Sequence, residues 1–281
     1  MTSFFDRITR RTTRRTTPWN VSPPGNGITL LHNRTALVTG GAGVLGSAIS
    51  EHLAAWGAKV IINYRSKREE AESLADRIRA GGGTAVALEA DIRDPLQVQE
   101  MIREASGTLG SPDILVNNAA PGPTDVARKG FLDHTWGDYQ TYIDTILLGA
   151  VNCCQATLPG MIARGRGRIV NIGTTALNEI NAQVNPYVTA KGGLLGMTRS
   201  LAEEFGKHHI TVNEVVPGCI WSEEREPSGE EGRLFRDRSP LGIGLARPSD
   251  VAGAVVFLAS DMASMITGAY IPVCAGQIVT G

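Results

Sequence analysis

From Asn33 onward, short apolar runs rich in β-branched residues alternate with stretches whose apolar positions recur every three or four residues. The runs TALVTG (35–40), AKVIINY (58–64), TAVALEAD (84–91), DILVNNA (113–119), RIVNIG (168–173), TVNEVVPG (211–218) and AYIPV (269–273) predict seven strands. Between them lie amphipathic stretches such as KREEAESLADRIRAGGG, closed by a glycine stop. Strands that are apolar throughout must be covered on both faces, and helical connections make successive strands parallel. The pattern therefore predicts one α/β domain over 33–281, a doubly wound, seven-stranded parallel sheet with right-handed crossovers. Residues 1–32 break the rhythm: RITRRTTRR carries five arginines and no acid, and PWNVSPPGNG has too many breakers for a helix. They predict an N-terminal arm. A strap against a subunit or partner, an organellar targeting segment and a solvated tail all suit its composition.

Composition changes this picture little. The chain has 281 residues, 42% of them hydrophobic, enough for one substantial core. Its 27 basic and 28 acidic residues leave a net charge of −1, so no nucleic-acid or membrane partner is expected. No apolar run approaches the ~20 residues that cross a bilayer and no apolar signal core is evident, so a soluble, cytoplasmic protein is expected. Cys153, Cys154, Cys219 and Cys274 form no CxxC pair, and the histidines lack ligand spacing, so no metal is expected.

Candidate chemistry begins at TGGAGVLG (39–46), between the first strand and the first helix. A glycine-rich turn there exposes backbone N–H groups and a helix N-terminus to a dinucleotide pyrophosphate, as in Rossmann-type folds. Gly40 suits the tight turn, Gly43 the backbone's approach to phosphate and Gly46 close helix packing; Gly41 and Leu45 belong to the same turn. At the third strand's end Asp91, with Ile92 beside it, can accept from an adenine amino group, and Asn118 in NNAA lines the same crevice. After the second strand comes INYRSKREE. Where an acid would accept from the ribose hydroxyls of NAD, Tyr64 stands instead, and Arg65 with Ser66 and Lys67 suits a 2'-phosphate. NADP(H) is favoured over NAD(H), although a solvated basic helix start would read the same way. In PYVTAKGG, Tyr187 and Lys191 stand four apart, on one helix face. An ammonium near a phenol stabilises its phenolate, which fits the phenol for acid–base work near neutral pH.

Taken in order, TGGAGVLG, NNAA, PYVTAK and VNEVVPG resemble the short-chain dehydrogenase/reductase family from about residue 33 to the C-terminus. The resemblance is to the branch that holds 3-oxoacyl-carrier-protein reductases and sugar or steroid dehydrogenases. It implies that Tyr187 exchanges the proton of a carbonyl oxygen, while Lys191 binds the nicotinamide ribose and lowers the Tyr187 pKa. Thr174 falls where the family's catalytic serine stands, thirteen residues before the Tyr. Ile220 and Ser222 of PGCIWS fall where the nicotinamide carboxamide is held, and 222–246 would form a substrate lid. A homo-oligomer, tetramer or dimer, is implied as well.

Three departures stand out. Val44 replaces a usual turn glycine, Ile146 occupies the place of an asparagine that supports the lysine's water, and Cys274 with Ala275 interrupts the usual C-terminal pattern. The reading is an NADP-dependent oxidoreductase that interconverts a ketone and a secondary alcohol, on a small or carrier-bound carbonyl such as a 3-oxoacyl thioester or polyketide-like intermediate. The alternatives are an NADP-binding scaffold or sensor without turnover, and a relative redirected to isomerisation, dehydration or enoyl reduction.

Overall fold

The computed structural model describes residues 29–121, 129–178, 183–220 and 229–278, and for 229–232 the backbone alone. Seven strands form one sheet: β1 (Thr35–Val38), β2 (Lys59–Tyr64), β3 (Thr84–Glu89), β4 (Ile114–Asn117), β5 (Gly167–Ile172), β6 (Ile210–Pro217) and β7 (Tyr270–Val273). Their order is β3-β2-β1-β4-β5-β6-β7, and every pairing is parallel. The seven predicted strands are thus present. Order reverses between β1 and β4, and there the crossovers on either side leave a crevice at the strands' carboxyl ends.

The helices are α1 (Val44–Ala55), α2 (Arg68–Ala80), α3 (Pro95–Thr108), α4 (Trp136–Tyr142), α5 (Gly149–Arg164), α6 (Asn185–Phe205), α7 (Gly229–Asp237) and α8 (Pro248–Ala259). Side chains alternate across the sheet with period two, so neighbours in one strand join different cores. Val38, Ile62, Val170 and Val215 pack with residues of α1, α2 and α8. Leu37, Ile61, Ile169 and Val212 pack with residues of α3, α5 and α6. Each such fully buried aliphatic contributes roughly 1.5–3 kcal/mol. Truncating Ile61 to Ala would cost about 2–5 kcal/mol, because strands covered on both sides cannot collapse into the space left.

α3 starts where Asp94 accepts from the N–H groups of Leu96 and Gln97 (2.9 and 3.4 Å), with Pro95 in its first turn. α4 and α5 are joined by a π turn over Ile143–Leu148. The resulting continuous helix, Trp136–Arg164, is long and apolar enough by composition to cross a bilayer, which no apolar run in the sequence suggested. Half of its most apolar window is buried within the protein, and α5 supplies Cys153, Cys154, Leu158 and Met161 to the core.

At the inner end of the expected arm, Leu31 is fully buried and its N–H donates to the Trp56 carbonyl (2.9 Å), so packing begins before Asn33. Residues 1–28 lie outside the described residues.

Candidate active site

The carboxyl ends of the strands open onto a cleft of about 960 Å³. After β1 the chain turns through Gly40, whose φ of +59° is a left-handed conformation, into α1. A Cβ on Gly46 would stand 2.2 Å from the Gly40 carbonyl oxygen and 2.9 Å from the Asn118 Nδ2, so the first turn of α1 lies directly on the glycine turn. Asn118 braces the arrangement from β4, its Nδ2 donating to the carbonyls of Thr39 (2.9 Å) and Gly40 (3.2 Å). Asn63, on β2, accepts from the Gly40 N–H (3.3 Å) and donates to the Ala90 carbonyl (3.0 Å). α1 has no side-chain cap and no acid in its first turn. Its leading N–H groups and the positive end of its dipole are therefore offered to an anion, which fits a dinucleotide's pyrophosphate.

The cleft's rim beyond β2 carries Arg65, Ser66 and Lys67, all exposed, directly before α2. Tyr64 is buried, with the Arg68 guanidinium 5.6 Å from its ring centroid, and burial raises its pKa. At the end of β3, Asp91 is held by Arg93, whose Nε donates to both carboxylate oxygens (2.9 and 3.1 Å) and whose NH2 donates to Oδ2 (2.5 Å). This hydrogen-bonded guanidinium holds the Asp91 pKa below the ordinary carboxylate value. A ligand amino group expected on Asp91 would therefore share a carboxylate that is already engaged.

At the far end of the cleft, the first turns of α6 carry Tyr187 and Lys191. Lys191 is buried, its Nζ donates to the Ile172 carbonyl at the end of β5, and it lies 5.8 Å from the Tyr187 ring centroid. Burial pushes the Lys191 pKa down to about 8, against the effect of the Glu214 carboxylate, which raises it. Burial raises the Tyr187 pKa, while its hydrogen bond with the Thr174 side chain favours the phenolate. Thr174 Oγ1 accepts from the Ala176 N–H (3.2 Å), which leaves the hydroxyl proton to be donated. Tyr142 meets the Tyr187 ring edge-on at a centroid distance of 5.7 Å. Ile146, within the π turn, is buried with Tyr142, Ala150, Ala190 and Leu194. The position expected to hold an amide is therefore part of an apolar bed beneath the tyrosine.

All the predicted residues except Gly41 and Ser222 line this one cleft. Gly41 is buried beneath the turn, where a Cβ would press on Ile62 and the Val38 carbonyl (both 3.0 Å), so its part is packing. Ser222 lies outside the described residues, as does the lid up to residue 228; just before it, Ile220 bridges to Ala246 at the expected lid's far end. Sequence reasoning missed Asn63 and Arg93, which brace the turn and engage Asp91. It also missed Tyr270, whose hydroxyl donates to the Thr174 carbonyl (3.2 Å), and Glu214 on β6. Of these, only Glu214 carried a signal: an acid within a run that predicts a buried strand.

A glycine turn at a helix N-terminus, a basic rim and a tyrosine–lysine pair around one crevice suit a dinucleotide-binding oxidoreductase. The enoyl-(acyl carrier protein) reductase family matches residues 40–277. A 3-oxoacyl-[acyl-carrier-protein] reductase of Staphylococcus aureus is 36% identical over 251 residues, 87% of this chain and 98% of that protein. The crystal structure of a gluconate 5-dehydrogenase from Burkholderia cenocepacia with NADP and tartrate superposes with a TM-score of 0.81 at 29% identity, over 89% of this chain and 97% of that one. A blue fluorescent protein from a metagenomic library, in complex with NADPH, gives 0.80 at 34% identity over 89% of this chain and 100% of that one. The chain belongs to the short-chain dehydrogenase/reductase family, in the branch of the 3-oxoacyl-carrier-protein reductases, and is an oxidoreductase acting on CH–OH and C=O groups.

Proposed function

We propose that this enzyme is an NADP-dependent ketoreductase whose proton donor is Tyr187, acting on a 3-oxoacyl thioester or a related carbonyl. The observation that carries the reading is the gathering of Thr174, Tyr187 and Lys191 at one end of a cleft whose other rim bears Arg65. The NADP complexes of the two structural relatives and the exposed cations before α2 support the choice of NADP. Arg65 would fork onto the 2'-phosphate, and Gly40, Gly43, Gly46 and the start of α1 would hold the pyrophosphate.

A nicotinamide held between the glycine turn and Lys191 would supply a hydride to the carbonyl carbon. Tyr187 gives its proton to the carbonyl oxygen, so that C=O becomes CH–OH and the tyrosine is left as phenolate. Thr174 donates a hydrogen bond to the same oxygen, stabilising the charge that builds there. The Lys191 ammonium lowers the cost of the phenolate until Tyr187 regains a proton. In the oxidation direction Tyr187 takes the alcohol proton instead. The thioester preference rests on the 3-oxoacyl reductase relative; the gluconate dehydrogenase makes sugar acids the competing class.

The test is a product analysis with NADPH and three probes: acetoacetyl-CoA, crotonyl-CoA and 5-keto-D-gluconate. Formation of 3-hydroxybutyryl-CoA is expected. Butyryl-CoA from crotonyl-CoA would instead establish enoyl reduction, and gluconate formation alone would move the substrate class to sugar acids.

A further inference from the structure

Between the strands that carry the site lies an ionisable group for which the proposed chemistry has no use. Glu214, in the middle of β6, has zero solvent exposure, and neither carboxylate oxygen has a hydrogen-bond partner among the described residues. It stands in register between Asn171 on β5 and Tyr270 on β7. Its carboxylate lies over Gly173, where a Cβ would come within 2.0 Å of Oε1. Gly173 is flanked by Ile172, whose carbonyl receives the Lys191 Nζ, and by Thr174. A bare, fully buried carboxylate is costly and persists where a buried cation offsets it.

The groups that face Glu214 are few. From α6 come Lys191 and Arg199, whose charges favour the carboxylate, and Tyr187. From β7 comes Tyr270, whose pKa is raised to about 12, mainly by burial and further by Glu214. β5 contributes only Asn171, which donates to Thr198, and Gly173. α8 packs on the opposite face of the sheet, against Val215.

Resting on the reading of Lys191 as the tuner of Tyr187, we propose that Glu214 is a positioning residue, the buried counter-charge that keeps Lys191 an ammonium at neutral pH. Lys191 is otherwise compensated by one neutral carbonyl, and burial alone drives it toward the amine. An amine could not stabilise phenolate, so Glu214 acts on the reaction through Lys191 without touching the reacting atoms. The directions agree: Lys191 lowers the Glu214 pKa, Glu214 raises that of Lys191, and burial opposes both charges. Ile146 makes the counter-charge more consequential, since the bed beneath Tyr187 offers no amide.

The deciding experiment is a double-mutant cycle of Lys191→Met and Glu214→Gln in the full chain, read by melting temperature without cofactor or substrate at about pH 5.5 and about pH 7.5. The proposal expects the two effects to be non-additive by roughly 2 °C or more at the higher pH, where both groups are charged, and additive at the lower, where Glu214 is protonated. Additivity at both values, or the same non-additivity at both, would overturn it, the latter by showing a packing effect. If Glu214→Gln does not fold, Glu214→Ala closes the cycle. With a probe that is turned over, the alkaline fall of kcat/KM should begin about one pH unit earlier in Glu214→Gln, with Glu214→Asp partly restoring it. A profile of unchanged shape would contradict the role. Because the cycle needs no turnover, its failure is separate from a failure of Tyr187 as the proton donor, which Tyr187→Phe kinetics decide.

Discussion

At the residue scale the proposed chemistry turns on a few atoms. Thr174 is read as a hydrogen-bond donor that happens to carry a methyl group. Thr174→Ala should therefore lower kcat by about 10²-fold or more while leaving the NADPH Kd nearly unchanged, whereas Thr174→Ser should stay within about tenfold of the parent. Steady-state kinetics beside a fluorescence titration of NADPH separates the two effects. Arg65 makes a prediction of the opposite kind. Removing it as Arg65→Ala should weaken NADPH by about 10- to 100-fold, the loss of a charge-assisted contact, and leave NADH affinity unchanged. Equal weakening of both cofactors would place Arg65 away from the 2'-phosphate. The contrast between these two residues and Glu214 shows what a sequence exposes. Tyr187, Lys191 and Arg65 are polar residues in recognisable local patterns, four apart on a helix or next to a strand end. Asp91 stands at a strand end in the same way, but its partner Arg93, two residues later, carries no such mark, because a side chain turning back on its own turn leaves no periodicity.

At the element scale, the strands were legible because the central ones, β1, β4, β5 and β6, are buried along their whole length and so read as largely apolar, β-branched runs. The continuous helix from Trp136 to Arg164 was less so. Its π turn inserts a change of phase at Ile143–Leu148, and no single residue marks the shift. That change of phase places Ile146 in the apolar cluster with Tyr142 and Leu194, so the missing asparagine reads in the structure as a packing residue. The turn into α1 has little tolerance. Gly46→Ala would force a methyl against the Gly40 carbonyl, so α1 must move off the turn that it closes. The expected result is a stability loss of about 1–3 kcal/mol together with a loss of NADPH binding. Thermal melts with and without NADPH check both, and an unchanged shift on adding cofactor would show that the turn does not seat the pyrophosphate.

At the scale of the whole molecule, charge buried beneath the site should leave a mark on stability. Burial raises the Glu214 carboxyl from 4.5 to about 7 in the folded protein. The folded state thus holds a proton that the unfolded state has released, so this group's contribution is fully present below pH ~4.5 and is lost as pH rises through ~7. The stability of the parent relative to Glu214→Gln, read from thermal melts, should fall across that window by an amount on the order of 2–3 kcal/mol and stay level just above it. A difference that does not change with pH would mean that Glu214 titrates as an ordinary exposed acid. The central claim is carbonyl reduction with Tyr187 as proton donor, and it is tested most directly by NADPH consumption in the parent and in Tyr187→Phe, side by side, on acetoacetyl-CoA. The account predicts that kcat falls by at least about 10²-fold in Tyr187→Phe, with NADPH binding retained; turnover that survives the loss of the phenol hydroxyl would contradict it.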